Sequence, residues 1–235
     1  MFTATKPAEL IVLDGAPQLE AIANTQLSSV TNTDEDLFFY KPDQSYYFLT
    51  SGRWFRAKSL DGPWSWAGTN LPEDFRKIPE DSDHGDVLAS VPGTSQAQES
   101  LVQAQIPQKA EVRRSEAKLT VHYDGDPKFQ PIGGTTLQYA INTPSSVIQA
   151  GDKFYACENG VWFVATKPQG PWVVADSVPD EIYKIPPTSP LYNTTFVRVY
   201  SSTPETVTVG YTSGYLGAYP AEGTLVYGTG YYYPP

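Results

Sequence analysis

Residues 52–64 read GRWFRAKSLDGPW, and residues 160–172 read GVWFVATKPQGPW. Gly52, Trp54, Phe55, Ala57, Gly62, Pro63 and Trp64 recur as Gly160, Trp162, Phe163, Ala165, Gly170, Pro171 and Trp172. The match extends in both directions. Downstream, LPEDFRKIPEDS (71–82) answers VPDEIYKIPPTS (178–189). Upstream, Asp14, Gly15, Pro17, Ile22, Thr25, Leu27, Asn32 and Thr33 recur as Asp124, Gly125, Pro127, Ile132, Thr135, Leu137, Asn142 and Thr143. Residues 8–82 thus align with 117–189, and order kept over that span is the mark of an internal duplication.

Each repeat reads as an antiparallel meander. Leu10–Leu13 is wholly apolar and partly β-branched, which predicts a buried strand, with a turn at Asp14-Gly15. Tyr46–Thr50 and Arg53–Lys58 read as strands joined at Ser51-Gly52. The second repeat has Asn159-Gly160 there, the strongest short hairpin signal. Period-2 alternation puts Phe55 and Ala57 on one face of their strand, and Trp54, Arg56 and Lys58 on the other. Because Phe163 and Ala165 recur, the Phe/Ala face is the expected core, and the Trp face is expected to be wetter in the first repeat than in the second.

The expected fold is all-β: two tandem antiparallel meander modules (1–93 and 109–190), one short connecting helix (94–108) and a C-terminal β extension (191–235). In the connector, Ser95-Gln96-Ala97-Gln98 fits a capping box, Ala97, Leu101 and Ala104 share one side, and Ile106-Pro107 ends it. Thr195–Tyr200 and Thr206–Tyr211 are strand candidates. Residues 211–235 hold seven of the sixteen tyrosines and a single charge, Glu222. Such a segment packs on the modules or offers an uncharged edge for self-association.

Composition narrows the function. Charged residues make up 18% of the chain, below the usual roughly 25%. The net charge is −10 and Arg113–Arg114 is only a pair, so no basic surface for nucleic acid is expected. No apolar run approaches the roughly 20 residues of a membrane span, so membrane insertion is not expected. The start is too polar for a signal peptide, and the Tyr/Pro-rich end reads as a cut, as in a piece of a longer chain.

The pattern P-A-x-L-x-V, G-x-P, G/N-T-x-L, N-T and G-x-W-F-x-A-x-x-x-x-G-P-W is carried by Pro7–Val12, Gly15–Pro17, Asn24–Leu27, Asn32-Thr33 and Gly52–Trp64, with their partners in the second repeat. It resembles the repeats of uncharacterised bacterial proteins loosely labelled carbohydrate-binding, family V/XII. The second repeat departs at its start, where Glu116 stands for Pro7. The resemblance implies a longer parent with a secreted or cell-envelope (extracytoplasmic) address; polysaccharide or another surface polymer is the expected partner.

Candidate ligand-binding residues are Trp54, Arg56, Lys58, Trp64 and Trp66. Aromatic faces with a polar handle suit sugar rings, and they suit cores equally. Four of the five tryptophans recur as packing landmarks. Trp66 does not, since Val174 stands in its place, so Trp66 beside Arg56 and Lys58 is the expected platform. Asp81, Asp83 and Asp86 in EDSDHGD (80–86) offer oxygen ligands to a hard cation such as Ca2+, though Pro92 stands where an EF-hand needs Glu. The other reading is a solvated acidic loop.

Cys157 occupies the place of Leu49, as a small buried side chain. Glu73-Asp74 and Asp180-Glu181 read as solvated faces. Only His84 and His122 occur, no catalytic motif is present, and no enzyme activity or cofactor is expected. Two functions follow: a non-catalytic binding module, or a structural protein that self-associates through residues 211–235.

Overall fold

The computed structural model describes residues 9–68 and 70–228. Both repeats are six-stranded antiparallel meanders. The first runs β1 (Leu19–Ala21), β2 (Leu27–Val30), β3 (Asp36–Tyr40), β4 (Ser45–Thr50), β5 (Arg53–Ala57) and β6 (Ser65–Trp66), in that spatial order. A helix, α1 (Ser95–Ala104), and a strand, β7 (Gln108–Arg113), follow. The second meander is β8 (Phe129–Pro131), β9 (Gln138–Ala140), β10 (Ser146–Ala150), β11 (Lys153–Glu158), β12 (Val161–Ala165) and β13 (Val173–Val174), again neighbour to neighbour. Next come β14 (Val197–Ser202) and β15 (Thr206–Tyr211), which join β7 in a three-stranded sheet. The pair β16 (Ala218–Ala221) and β17 (Thr224–Tyr227) closes the described chain. The all-β class with one short helix is therefore the observed one. No helix among the described residues is long and apolar enough to cross a membrane.

Chain contacts group the described residues into two compact units. One holds residues up to Ala104 together with the hairpin Tyr219–Tyr227; the other holds Gln105–Ala218. Part of the C-terminal extension thus belongs to the first unit, and β7, a strand the sequence reading did not single out, belongs to the second.

The hairpin turns explain the register. Ser51 and Gly52 have φ of 51° and 72°, and Asn159 and Gly160 have 51° and 74°. Two successive positive φ values make the tight turn whose twist matches paired strands. The turns fix Leu49 opposite Trp54 and Cys157 opposite Trp162.

Both faces of each sheet are covered. On one face of the first sheet, Ile22, Leu27, Phe38, Tyr47, Trp54 and Ala67 pack under Phe75, Ile78, Val87 and Leu88. Those four come from or border the 3-10 turns Glu73–Lys77 and Gly85–Ser90. The second sheet repeats this with Ile132, Leu137, Ile148, Tyr155, Trp162 and Ala175 under Ile182 and Ile185. The tryptophan face is therefore core in both repeats, which corrects the expectation that the Phe/Ala face is the core face. Trp54 and Trp162 are 2% and 0% exposed, and their Nε1–H groups donate to the carbonyls of Ser90 and Val197. An indole goes that deep only because its one polar group finds an acceptor.

The opposite face of the first sheet carries Val30, Leu37 and Phe48, packed against Ile11, Leu13, Leu60 and Trp64. Leu10–Leu13 is not the expected buried strand: it pairs with no strand, and only Ile11 and Leu13 turn inward while Val12 is 60% exposed. In the second repeat Leu119, Val121 and Tyr123 do the same work. Counting back from Asp14 and Asp124, Leu13 answers Tyr123 and Ile11 answers Val121. Asn32 pins this lead-in: its amide donates to the carbonyls of Asp14 (2.8 Å) and Ala16 (2.9 Å), and its Oδ1 accepts the Gln18 N–H at 2.9 Å. Asn142 does the same with Asp124, Asp126 and Lys128.

Helix α1 is capped by Thr94 rather than through a Ser95–Gln98 box: the Thr94 hydroxyl accepts the Ala97 N–H at 3.1 Å. Ala97 and Ala104 are buried, as the spacing predicts.

Candidate functional site

The five residues singled out in the sequence do not form one platform. Trp54 is a core residue that borders, beside Trp66, the cleft described below. Phe55 pairs with Trp66 across the ladder, so Trp66 lies on the Phe55 face, opposite Trp54 and Arg56. Trp64 packs edge-on against Phe48 at 6.0 Å and donates its Nε1–H to the Leu60 carbonyl. Lys58 bonds the Asp43 carbonyl, and Arg56 is exposed. Of the five, Trp66 alone is an exposed aromatic, 55% accessible at the edge strand.

Around Trp66 the first unit forms a cleft of about 360 Å³ lined by Arg53, Phe55, Trp66, Tyr219, Glu222 and Thr224, among others. Strand β5 supplies Arg53 and Phe55, which alternate onto the same face. Strand β6 supplies Trp66, whose ring lies over Gly68; a Cβ there would sit 2.3 Å from the indole. The hairpin β16–β17 supplies the far wall. It is fastened at the β4–β5 turn: the Tyr227 N–H donates to the Ser51 carbonyl at 3.0 Å, and Arg53 donates to the carbonyls of Tyr227 and Ser51 and to the Tyr219 hydroxyl. Arg53 is thus held rigidly against the cleft wall.

The second repeat treats the same face differently. Arg53, Phe55 and Trp66 correspond to Val161, Phe163 and Val174. Those three are buried beneath Val207 and Val209 of β15, with Val112 of β7 alongside. Arg114 fastens that cover: it donates to the carbonyls of Thr203 and Val174, to Ser202 Oγ at 2.6 Å and to Asp176 at 2.5 Å. Hydrogen bonding from Ser202 and the charge of Arg114 hold the Asp176 carboxyl below the usual range. A duplicated face is therefore a closed valine core in one copy and an open Trp/Arg-edged cleft in the other.

The remaining candidates are structural. Asp74 and Glu181, expected as solvated faces, tie each 3-10 turn to its sheet. Asp74 is buried, bonds Lys77 at 2.6 Å and accepts the Gln26 N–H at 2.9 Å, and these bonds lower its pKa. Glu181 accepts both the N–H and the hydroxyl of Thr136, with the same effect. The 80–86 segment is a compact turn in which His84 packs edge-on to Phe38 at 5.4 Å. Asp81, Asp83 and Asp86 are not drawn together: among the described residues, no group of three or more His, Cys, Asp or Glu could hold a metal ion. Cys157 is buried in the second core, and burial pushes its thiol far above the ordinary range, so it is held as the unreactive thiol.

Sequence reasoning missed Arg53, Phe55, Tyr219 and Glu222. The signal for the first was present, since Arg53 against Val161 is the same kind of difference as Trp66 against Val174. Nothing in the sequence announces that Tyr219–Tyr227 folds back onto the first repeat. Comparison of the chain with protein-family models, curated proteins and solved structures returned no match.

Proposed function

We propose that the chain is a non-catalytic, extracytoplasmic binding module for glycan or a similar surface polymer, and that its ligand site is the Trp66 cleft of the first repeat. One observation carries this reading. The face that the second repeat buries under β15 is open in the first, and the two valines at its edges are Arg53 and Trp66 instead. A face released from packing has no need of an exposed indole; surface Trp is costly for solubility and useful for binding. The Trp66 ring offers a flat apolar surface to a sugar ring, and Tyr219, Thr224, Glu222 and Arg53 offer hydroxyl, carboxylate and cationic groups at the wall. The lining has one carboxylate, Glu222, where glycoside hydrolysis uses a pair, which favours binding over cleavage. The resemblance of the repeats to proteins labelled carbohydrate-binding supports the ligand class and the address.

The test is a pull-down with a panel of insoluble polysaccharides, using the wild-type chain, Trp66→Ala and Trp66→Phe. Retention of the wild type on at least one polymer is expected, with loss in Trp66→Ala and partial retention in Trp66→Phe. Equal retention of all three would place any polymer contact elsewhere.

A further inference from the structure

The repeats differ at a second place, within the second unit. There a groove of about 720 Å³ is lined by Tyr139, Ile141, Ser145, Asn193, Tyr215 and Leu216, among others. None of its described lining residues is charged. The matching positions of the first repeat are acidic: Glu20, Asp34, Glu35, Asp36 and Asp86 stand where the groove has Gln130, Pro144, Ser145, Ser146 and Asn193. The elements confirm the match. Glu20 and Gln130 are each the middle residue of the first strand, and Asp36 and Ser146 each open the third. Asp86 and Asn193 are each the second residue of a 3-10 turn. The first repeat crowds these acids together: burial, Asp86 and Glu35 all raise the pKa of Asp36. Their loss is local, because outside these positions residues 8–82 hold eight acids and residues 117–189 hold seven. Tyr139 and Ile141 also stand against the small polar Ser29 and Thr31. Ile141 and Leu216 are 48% and 71% exposed.

We propose that this groove is a second ligand site, and that it takes an uncharged saccharide. A carboxylate is costly to strip of water, and a neutral ligand offers it no charge in return. Amides and hydroxyls cost far less, and between them they donate to and accept from sugar hydroxyls. Gln130, Ser145, Ser146 and Asn193 put such groups where the first repeat has acids. Tyr139, Ile141 and Leu216 add apolar surface for the C–H face of a sugar ring. The walls are held in place beforehand. The Tyr139 hydroxyl donates to Gln130 Oε1 at 3.1 Å, the Tyr215 hydroxyl accepts the Gly160 N–H at 3.0 Å, and the Asn193 amide donates to the Tyr215 carbonyl at 3.4 Å. A charged ligand would find no counter-charge in the lining. The ligand class rests on the glycan-binding reading above; the site itself does not depend on the Trp66 cleft.

The test is affinity electrophoresis of the full chain in native gels containing galactomannan, xyloglucan or dextran, all uncharged, with polymer-free gels as reference. At least one polymer should retard the wild type. Tyr139→Ser with Ile141→Thr should weaken that binding at least fivefold, and so should Ser145→Glu with Ser146→Asp. Both pairs restore residues that the first repeat carries at the matching sites. The backbone accommodates the second pair, since the Thr33 hydroxyl accepts the Glu35 N–H as the Thr143 hydroxyl accepts that of Ser145. An unchanged melting temperature checks the fold of each. Trp66→Ala separates the two sites. Weakening by Trp66→Ala alone overturns the groove and leaves the cleft standing; weakening by the groove pairs alone does the reverse. No retardation by any of the three polymers overturns the proposal. So does a concentration-dependent dimer that Tyr139→Ser with Ile141→Thr abolishes, which would put a second copy in the groove.

Discussion

At the residue scale the tryptophans divide by what their Nε1–H groups reach. Trp162 is fully buried and bonded to Val197, so Trp162→Ala should cost about 3–5 kcal/mol in a denaturant titration. Trp66→Ala, at an exposed edge, should change stability by under about 0.5 kcal/mol. A subtler case is Trp172. In the first repeat Trp64 donates to the Leu60 carbonyl, but in the second the matching Pro168 carbonyl accepts the Tyr123 hydroxyl at 2.9 Å, and the buried Trp172 Nε1 has no partner. Tyr123→Phe returns that carbonyl to Trp172. The loss of one hydrogen bond is then offset, and the change should stay within about 0.5 kcal/mol, whereas an uncompensated loss costs about 1–3 kcal/mol. A measured loss in the latter range would show that Trp172 does not take over. The recurrence of four tryptophans was legible in the sequence. Their burial was not, because alternation assigns two faces and does not say that both are covered.

At the scale of elements, the two hairpin-turn glycines differ in what covers them. Gly52 faces the Leu225 carbonyl, which an added Cβ would meet at 2.3 Å, while Gly160 faces the Tyr211 ring at 3.0 Å. Backbone cannot yield as a side chain can. Gly52→Ala should therefore displace the β16–β17 wall and weaken polymer binding as well as stability. Gly160→Ala should show mainly the roughly 1–2 kcal/mol cost of a left-handed alanine. Similar stability losses with unchanged binding in both would contradict the placement of the hairpin. The meanders, the Asn159-Gly160 turn and the helix were readable from local signals. The hairpin's place was not, since a Tyr/Gly-rich stretch carries β propensity but no address. Leu10–Leu13 misled for a related reason: four apolar residues look like a buried strand, yet this stretch pairs with no strand and lays only Ile11 and Leu13 on the sheet face.

For the whole molecule, acid is the informative variable. Asp74, Asp176 and Glu181 all have carboxyls held below their ordinary values in the folded chain. A group with a lowered folded pKa contributes stability above its unfolded pKa, and that contribution is lost as pH falls through the folded value. Stability should hold from neutrality down to about pH 4 and then fall. Asp36 works the other way: its raised pKa means that protonation relieves the folded state, slightly blunting the upper part of the fall. Asp74→Ala should lower stability at neutral pH and flatten the acid limb; an unchanged slope in a pH series of melting temperatures would remove Asp74 from the account.

The account as a whole rests on one asymmetry, a duplicated face closed in the second repeat and open in the first. Five tryptophans give five indole N–H signals in a nitrogen-edited NMR spectrum. Titration with a soluble fragment of a retained polysaccharide should shift the Trp66 signal and leave those of Trp162 and Trp172, in the second repeat, in place. A titration that moves other indoles while Trp66 stays fixed would contradict the account.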